Sequence, residues 1–152
     1  MWFLLGFLLG WWVFADSGIQ GGGVILKNSK DEFLLVQNAR SGRWGFPKGT
    51  YESEDLAYYF TAIREMEEET TFQLNKDYVL VPGSCRYGNR MYFYGNLVED
   101  RERIPKINTV FANEHRDIGW FHRNELPQYK NKDLTDWVSD GMPSICYLHD
   151  DL

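Results

Sequence analysis

The segment from residue 54 to residue 70 sets the strongest constraint on this chain. It holds neither glycine nor proline, so nothing in it breaks a helix. Ser53 is suited to cap that helix, with Glu54 and Asp55 in the first turn, where the helix dipole favours anions. The segment contains the run Arg64-Glu65-Met66-Glu67-Glu68-Glu69. At about 100° per residue, Glu65, Glu68 and Glu69 share an arc of about 100°. Leu56, Tyr59, Phe60, Ile63 and Met66 gather on roughly the opposite side, so the expected helix packs with one face and presents carboxylates with the other. Three such carboxylates repel unless they are neutralised, and a hard divalent cation with oxygen ligands answers that need. Arg64, four residues before Glu68, can pair with and orient that carboxylate, while Glu67 points away.

Acidic runs on helices are usually solvated faces, so the preceding segment decides the reading. Trp44-Gly45-Phe46-Pro47-Lys48-Gly49 is an apolar, rigid turn ending in Lys48 next to a glycine. It can bring backbone carbonyls and one ammonium beside the carboxylates, which is equipment for holding a polyphosphate.

The rest of the chain reads as short strands. Residues 24–26 and 32–37 form an expected hairpin around a polar turn at 27–31, and residues 38–42 form a loop. Further strands are expected at 78–81, 90–98 and 118–122, and a short helix at 133–139 after the Leu126-Pro127 break. Strands with few helices imply an α+β domain. A length of 152 residues allows one such domain, placed at residues 18–152, with enough apolar sequence to close a core. Sixteen Lys and Arg against 22 Asp and Glu give a net charge of −6, which excludes a broad nucleic-acid binder but leaves room for a local basic groove. Cys85 and Cys146 match no metal spacing and read as core or incidental residues. His115, His122 and His149 lack ligand spacing and read as surface or packing residues.

Residues 1–15 carry no charge, and Trp2 and Trp11-Trp12 stand at their two ends. As a helix the run spans about 22 Å against a bilayer core of about 30 Å, a mismatch that local thinning can absorb. A cleaved signal peptide and a buried segment are the competing readings. The absence of a polar face and the terminal tryptophans favour a membrane anchor, with Lys27 and Lys30 placing the domain on the cytosolic side. A soluble cytoplasmic chain is the alternative.

The 44–72 region resembles the Nudix hydrolases, whose signature is G-x5-E-x7-R-E-U-x-E-E-x-G-U with U a bulky apolar residue. The chain supplies Gly49, then Arg64-Glu65-Met66-Glu67-Glu68-Glu69-Thr70-Thr71-Phe72, and the preceding G-F-P-K-G is also a family feature. Two departures stand out. The interval from Gly49 to Arg64 is one residue longer, with Asp55 or Glu54 in place of the first Glu, and Thr71 replaces the Gly that ends the helix. Thr tolerates positive φ poorly, so an altered helix end is expected.

The resemblance implies an α/β/α sandwich with a mixed β-sheet and a Mg²⁺ or Mn²⁺ site formed by Glu65, Glu68, Glu69, Glu114 and the Gly49 carbonyl. It makes Glu65 and Glu114 candidate bases, has Arg64 orient the carboxylates, and gives Lys48 a phosphate. Within the family the stretch from Glu114 to Pro127 is similar to that of mRNA-decapping enzymes, which implies a capped-RNA substrate. Trp44 or Tyr94 would then stack on the base, and Arg86, Arg90, Arg101, Arg103, Lys130 and Lys132 would serve as an RNA track. Hydrolysis of dinucleoside or diphosphoinositol polyphosphates, and a non-catalytic membrane-tethered binding module, are the alternatives.

Overall fold

The structure is a computed structural model describing residues 18–98, 114–139 and 146–147. The anchor expected at 1–15 lies outside these residues, as do Arg101, Arg103 and His149. Among the described residues no helix is long and apolar enough to cross a membrane.

Strand β1 (Gly21–Lys27) is the axis of the fold. One edge pairs in parallel with β6 (Arg90–Leu97) along its whole length, Gly21 opposite Arg90 through Lys27 opposite Asn96. The other edge is divided. Its first half pairs with β4 (Lys48–Thr50), and its end pairs with β2 (Glu32–Asn38) at Lys27 opposite Phe33. The short β3 (Trp44–Gly45) and β7 (His115–His122) both pair with β2, and β5 (Tyr78–Tyr87) pairs with β6. With β8 (Cys146–Tyr147) on β5, the path runs β3-β2-β1-β6-β5-β8 in one mixed sheet.

Each face of the sheet is covered by a helix, α1 (Tyr58–Thr70) or α2 (Lys132–Ser139). Val24, Leu26, Leu34 and Phe93 meet Ala62 and Met66 of α1, whereas Ile25, Leu35 and Tyr92 meet Leu134 and Trp137 of α2. Burial on both faces explains why β1 and β2 read as continuous apolar runs rather than alternating ones. The expected α/β/α sandwich is present.

Five expectations are corrected. The helix begins at Tyr58, not at residue 54; its N-cap is Ala57 with no side-chain cap, and Ser53 lies in a preceding turn. Asp55 causes this. Its carboxylate accepts from the Glu52 N–H, the Thr61 hydroxyl and Arg64, which ties the chain down before the helix starts. The buried face of α1 is also rotated to Thr61, Ala62, Glu65, Met66, Glu69 and Thr70, leaving Leu56 84% and Phe60 45% exposed. Gly22 explains the rotation, since a Cβ there would lie 2.5 Å from the Tyr58 carbonyl oxygen. The helix backbone rests on the bare strand, and small side chains occupy the contact.

Thr71 does adopt the left-handed conformation, with φ +67°, and its N–H reaches the Glu67 carbonyl at 2.9 Å. The helix end is therefore the family's usual one, supported by the Thr70 hydroxyl, which accepts from the Phe72 N–H at 3.1 Å. Finally, Cys85 and Cys146 are neither free nor incidental: they form a disulfide that fixes β8 to β5. Strand β5 also continues past residue 81, absorbing Pro82 and Gly83 (φ +137°) in a bulge between Leu80 and Ser84.

Candidate active site

The divided edge of β1 opens a cleft of about 490 Å³. Lys48, Gly49 and Thr50 of β4 form one wall, Glu65 and Glu69 of α1 another, and Arg90 opens β6. Asn38 and Arg40 after β2 and Glu114 and His115 at the start of β7 complete it. Strand pairing collects residues that lie far apart in sequence, since β7 runs beside β2 with His115 opposite Asn38.

Two carboxylates form the base of the site. Glu69 is 3% exposed and Glu65 8%. Burial pushes the Glu69 carboxyl well above the ordinary carboxylate range, and the Glu65 charge beside it adds to the shift; burial raises Glu65 as well. Gly49 makes room for them, because a Cβ there would lie 2.0 Å from Glu65 Cδ. The Lys48 N–H points at Glu69 Oε1 from 3.4 Å. The Lys48 ammonium is pushed below its usual value by burial and then by the neighbouring Arg90.

Arg64 organises the outer side of the same helix. Its Nη1 donates to Glu65 Oε1 at 3.1 Å and Glu68 Oε2 at 3.2 Å. Its Nε and Nη2 grip Asp55 at 3.1 and 2.9 Å, and Nη2 also reaches the Thr50 carbonyl at 3.0 Å. The Arg64 guanidinium holds the Asp55 carboxyl down at about 2. Asp55 stands six residues after Gly49, where the signature has its first Glu, so the extra residue lies between Asp55 and Arg64.

The structure thus brings Lys48, Gly49, Glu65, Glu69 and Glu114 to one cleft and sets Arg64 and Glu68 at its flank. Among the described residues no three acidic, histidine or cysteine side chains converge on a single point as they stand, because Glu68 is drawn to Arg64. The donor set nevertheless suits a hard cation. It consists of oxygens only, two of the carboxylates are buried, and a glycine leaves the space a side chain would fill.

Trp44 is placed elsewhere. Its ring packs edge-on against Phe121 at 5.0 Å, and its backbone exchanges hydrogen bonds with Tyr129 and Asn131, tying β3 to the segment before α2. Tyr94 lines a separate cavity with Tyr87 and Trp137. The cations expected to form one track are dispersed. Arg86 donates to the Gly88 carbonyl, Lys130 lies beside Arg43 and Tyr129 in another cleft, and Lys132 pairs with Asp136. Arg90 alone of those described lines the cleft.

His115 and Asp133 were not legible as site residues. His115 Nε2 lies 3.5 Å from Glu69 Oε1, and burial followed by the Lys48 charge pushes its imidazole down to about 4, so it is neutral there. Asp133, buried at the start of α2, accepts from the Tyr92 hydroxyl and lies 3.5 Å from Arg90 Nη1. The adjacency of His115 to Glu114 was the one available signal for the first; nothing in sequence signals the second.

Comparison with known proteins agrees with this geometry. The family profile described as NUDIX domain matches residues 20–140. The chain is 31% identical over 128 residues to mRNA-decapping enzyme subunit 2 of Arabidopsis thaliana, covering 78% of this chain and 31% of that protein. It is 30% identical over 119 residues to the m7GpppN-mRNA hydrolase dcap-2 of Caenorhabditis elegans, covering 74% of this chain and 14% of that protein. It therefore spans a third or less of the length of these relatives. The fold is similar to that of a C. elegans Ap4A hydrolase in a binary complex, with a TM-score of 0.61 at 19% identity over 78% of this chain and 89% of that one. With the profile covering most of the chain and the carboxylate helix set against the Gly49 turn, the protein belongs to the Nudix family of hydrolases.

Proposed function

We propose that this chain hydrolyses a diphosphate linkage in a substrate carrying a nucleoside diphosphate joined to a second group, with Mg²⁺ or Mn²⁺ as its ion. The observation that carries this reading is the burial of Glu65 and Glu69 against the bare Gly49, with Lys48 on the same wall. Nudix hydrolases generally use divalent metals. Glu65, Glu69 and the Gly49 carbonyl would hold the ion here, with Glu68 and Glu114 completing the set. When bound, such an ion neutralises phosphate oxygens and stabilises the charge that develops as the linkage breaks.

The chain's own groups do the rest. Lys48 binds a phosphate oxygen and, being partly desolvated, does so without losing much hydration. Arg64 fixes the orientation of Glu65 and Glu68. Glu65 and Glu114, which both line the cleft, are the candidate bases for the attacking water. His115 lies beside Glu69, 3.5 Å from its Oε1, without contributing a charge.

The substrate we assign is the capped 5′ end of an mRNA, with water attacking to release methylated guanosine diphosphate and leave a 5′-monophosphate on the RNA. The likeness to the two decapping relatives supports it. The scatter of Arg86, Lys130 and Lys132 favours a second reading, hydrolysis of free dinucleoside polyphosphates, because an RNA body needs contiguous phosphate contacts. Cap-labelled RNA, free cap dinucleotide and diadenosine tetraphosphate, each incubated with the protein and Mg²⁺ or Mn²⁺, separate the two. Cleavage of long capped RNA that weakens steeply with salt supports decapping. Cleavage of only the small molecules moves the assignment to the second reading, and no cleavage of any leaves a binding module.

We also propose that residues 1–15 anchor the protein to a membrane, on the strength of their uncharged, tryptophan-flanked sequence; the Cys85–Cys146 disulfide argues against the cytosolic side for the domain. Resistance to carbonate extraction that disappears on deleting 1–15 is expected; full-length protein that stays monodisperse without detergent overturns it.

A further inference from the structure

Arg90 is the cleft residue whose hydrogen-bonding capacity the protein leaves most open. Its contacts run through Nη1, to Asn89 at 3.3 Å and to Asp133 at 3.5 Å. Its Nε is buried and has no partner among the described residues. A guanidinium offers five donors in a planar fork, and with Nε enclosed the donors that a ligand can reach are those of the terminal nitrogens of this part-exposed side chain. The setting is fixed from behind. Asp133 is itself held by the Tyr92 hydroxyl, and Gly88 admits it closely, since a Cβ there would lie 2.3 Å from Asp133 Oδ1.

A second observation concerns charge. Arg90 and Lys48 line the same cleft. Two cations kept together in a partly desolvated cleft call for an anion between or beside them. Their positions are offset. Lys48 pairs with Gly23 on one edge of β1 and Arg90 with Gly21 on the other, so two strand spacings across the sheet and two residues along it, about 12 Å in all, separate their backbones. The Lys48 N–H faces Glu69, and the Arg90 guanidinium faces Asp133.

We propose that Arg90, positioned by Asp133, is a substrate-binding residue that takes an outer phosphate beyond the linkage held at Lys48 and the carboxylates, so that the cleft selects chains of three or more phosphates. This rests on the hydrolase reading above for its substrate but not for its anion site. The arrangement explains why a cleft so rich in carboxylates also carries an arginine without a close ion-pair partner. Bidentate contact from the open edge of the fork is the geometry an arginine offers a phosphate.

Inorganic tripolyphosphate in EDTA is the probe for binding, with the full chain and with Arg90→Ala, Arg90→Lys and Arg43→Ala. Arg90→Ala is expected to weaken binding at least about tenfold, and Arg90→Lys by less because it keeps the charge without the fork. Arg43→Ala removes the same charge from a different cleft and is expected to leave affinity within about twofold. Equal losses for Arg43→Ala and Arg90→Ala, or none for Arg90→Ala, overturn the proposal. In turnover, Arg90→Ala is expected to raise KM for cap dinucleotide or diadenosine triphosphate about tenfold with kcat little changed, and to affect ADP-ribose, with two phosphates, far less. An equal rise on ADP-ribose overturns it. Tripolyphosphate binding that depends on Arg90 in a protein that hydrolyses nothing would retain the anion site and reject the hydrolase reading.

Discussion

Arg64 and Arg90 flank the same pair of buried carboxylates and are engaged in opposite ways. Arg64 has all three of its nitrogens committed, to Asp55, Glu65, Glu68 and the Thr50 carbonyl. Arg90 has one loose ion pair and an unmet Nε. The saturated arginine belongs to the scaffold: it joins the turn after Gly49 to the helix and aims two glutamates. The unsaturated one faces the space a substrate enters. A motif residue in a catalytic family is therefore not thereby the residue that meets substrate, and an arginine outside every motif is the better ligand.

The carboxylates between the two arginines give the largest expected effect. Glu69→Gln removes a carboxylate from the ion's donor set while nearly keeping shape, and metal-dependent turnover should fall by about two to three orders of magnitude with the fold intact. In wild type, Mg²⁺ or Mn²⁺ should raise Tm, because binding to the native state alone stabilises it; in Glu69→Gln that increment should shrink. Turnover near wild type at saturating metal would place the chemistry elsewhere.

Next comes the contrast itself. Arg64→Ala leaves Asp55 buried without its cation and should cost about 3–5 kcal/mol in thermal or urea unfolding. Arg90→Ala removes a single longer pair, at 3.5 Å, to an Asp133 that the Tyr92 hydroxyl still satisfies, and should cost about 1 kcal/mol. Equal losses would show that Arg90 is also structural.

These contrasts mark what the sequence could reveal. The helix and its glutamates were legible because a 3.6-residue period and a contiguous motif are local properties. Where the helix starts was not, because Asp55 is claimed by Arg64 nine residues on, a tertiary contact that overrides the capping preference of Ser53. The apolar stripe misled for a similar reason: Gly22 lets the helix backbone touch the sheet, so Ala62 and Thr61 displace Leu56 and Phe60 from the interface. Arg90, His115 and Asp133 enter the site through strand register or the start of a distant helix, and Cys85 meets Cys146 in the same way. Long-range pairing has no signature in a single sequence.

The Arg64 cluster has a pH signature of its own. The carboxyl of Asp55 titrates at about 2 in the folded chain because Arg64 hydrogen-bonds its charged form. Its folded pKa lies below its unfolded one, so its contribution is complete above about pH 5 and disappears as pH falls toward 2. Asp55→Asn lacks that contribution throughout. Between pH 5 and pH 2 the wild type should therefore lose about 2 kcal/mol more stability than Asp55→Asn in urea titrations. Parallel losses would mean that Asp55 is not held by charge.

The smallest effect lies at the far end of the same helix, where no arginine acts. Thr71 holds φ at +67°, a conformation that a β-branched residue adopts at a cost of about 1–2 kcal/mol. The cost is tolerated because the Thr70 hydroxyl receives the Phe72 N–H and the Asp77 carboxylate receives the Gln73 N–H, so the chain reverses with its donors satisfied. Thr71→Gly removes the strain but gives the unfolded chain more freedom, a loss of about 0.4–1 kcal/mol, so the net gain should be a few tenths to about 1 kcal/mol. Thr71→Asn tolerates the same φ without that entropy loss and should gain at least as much. Neither change reaches the cleft, since Thr71 is exposed and outside its walls, so turnover per folded molecule should not move. Urea unfolding of the two variants beside wild type decides it: a loss of stability in both would show that the threonine side chain supports the turn rather than straining it.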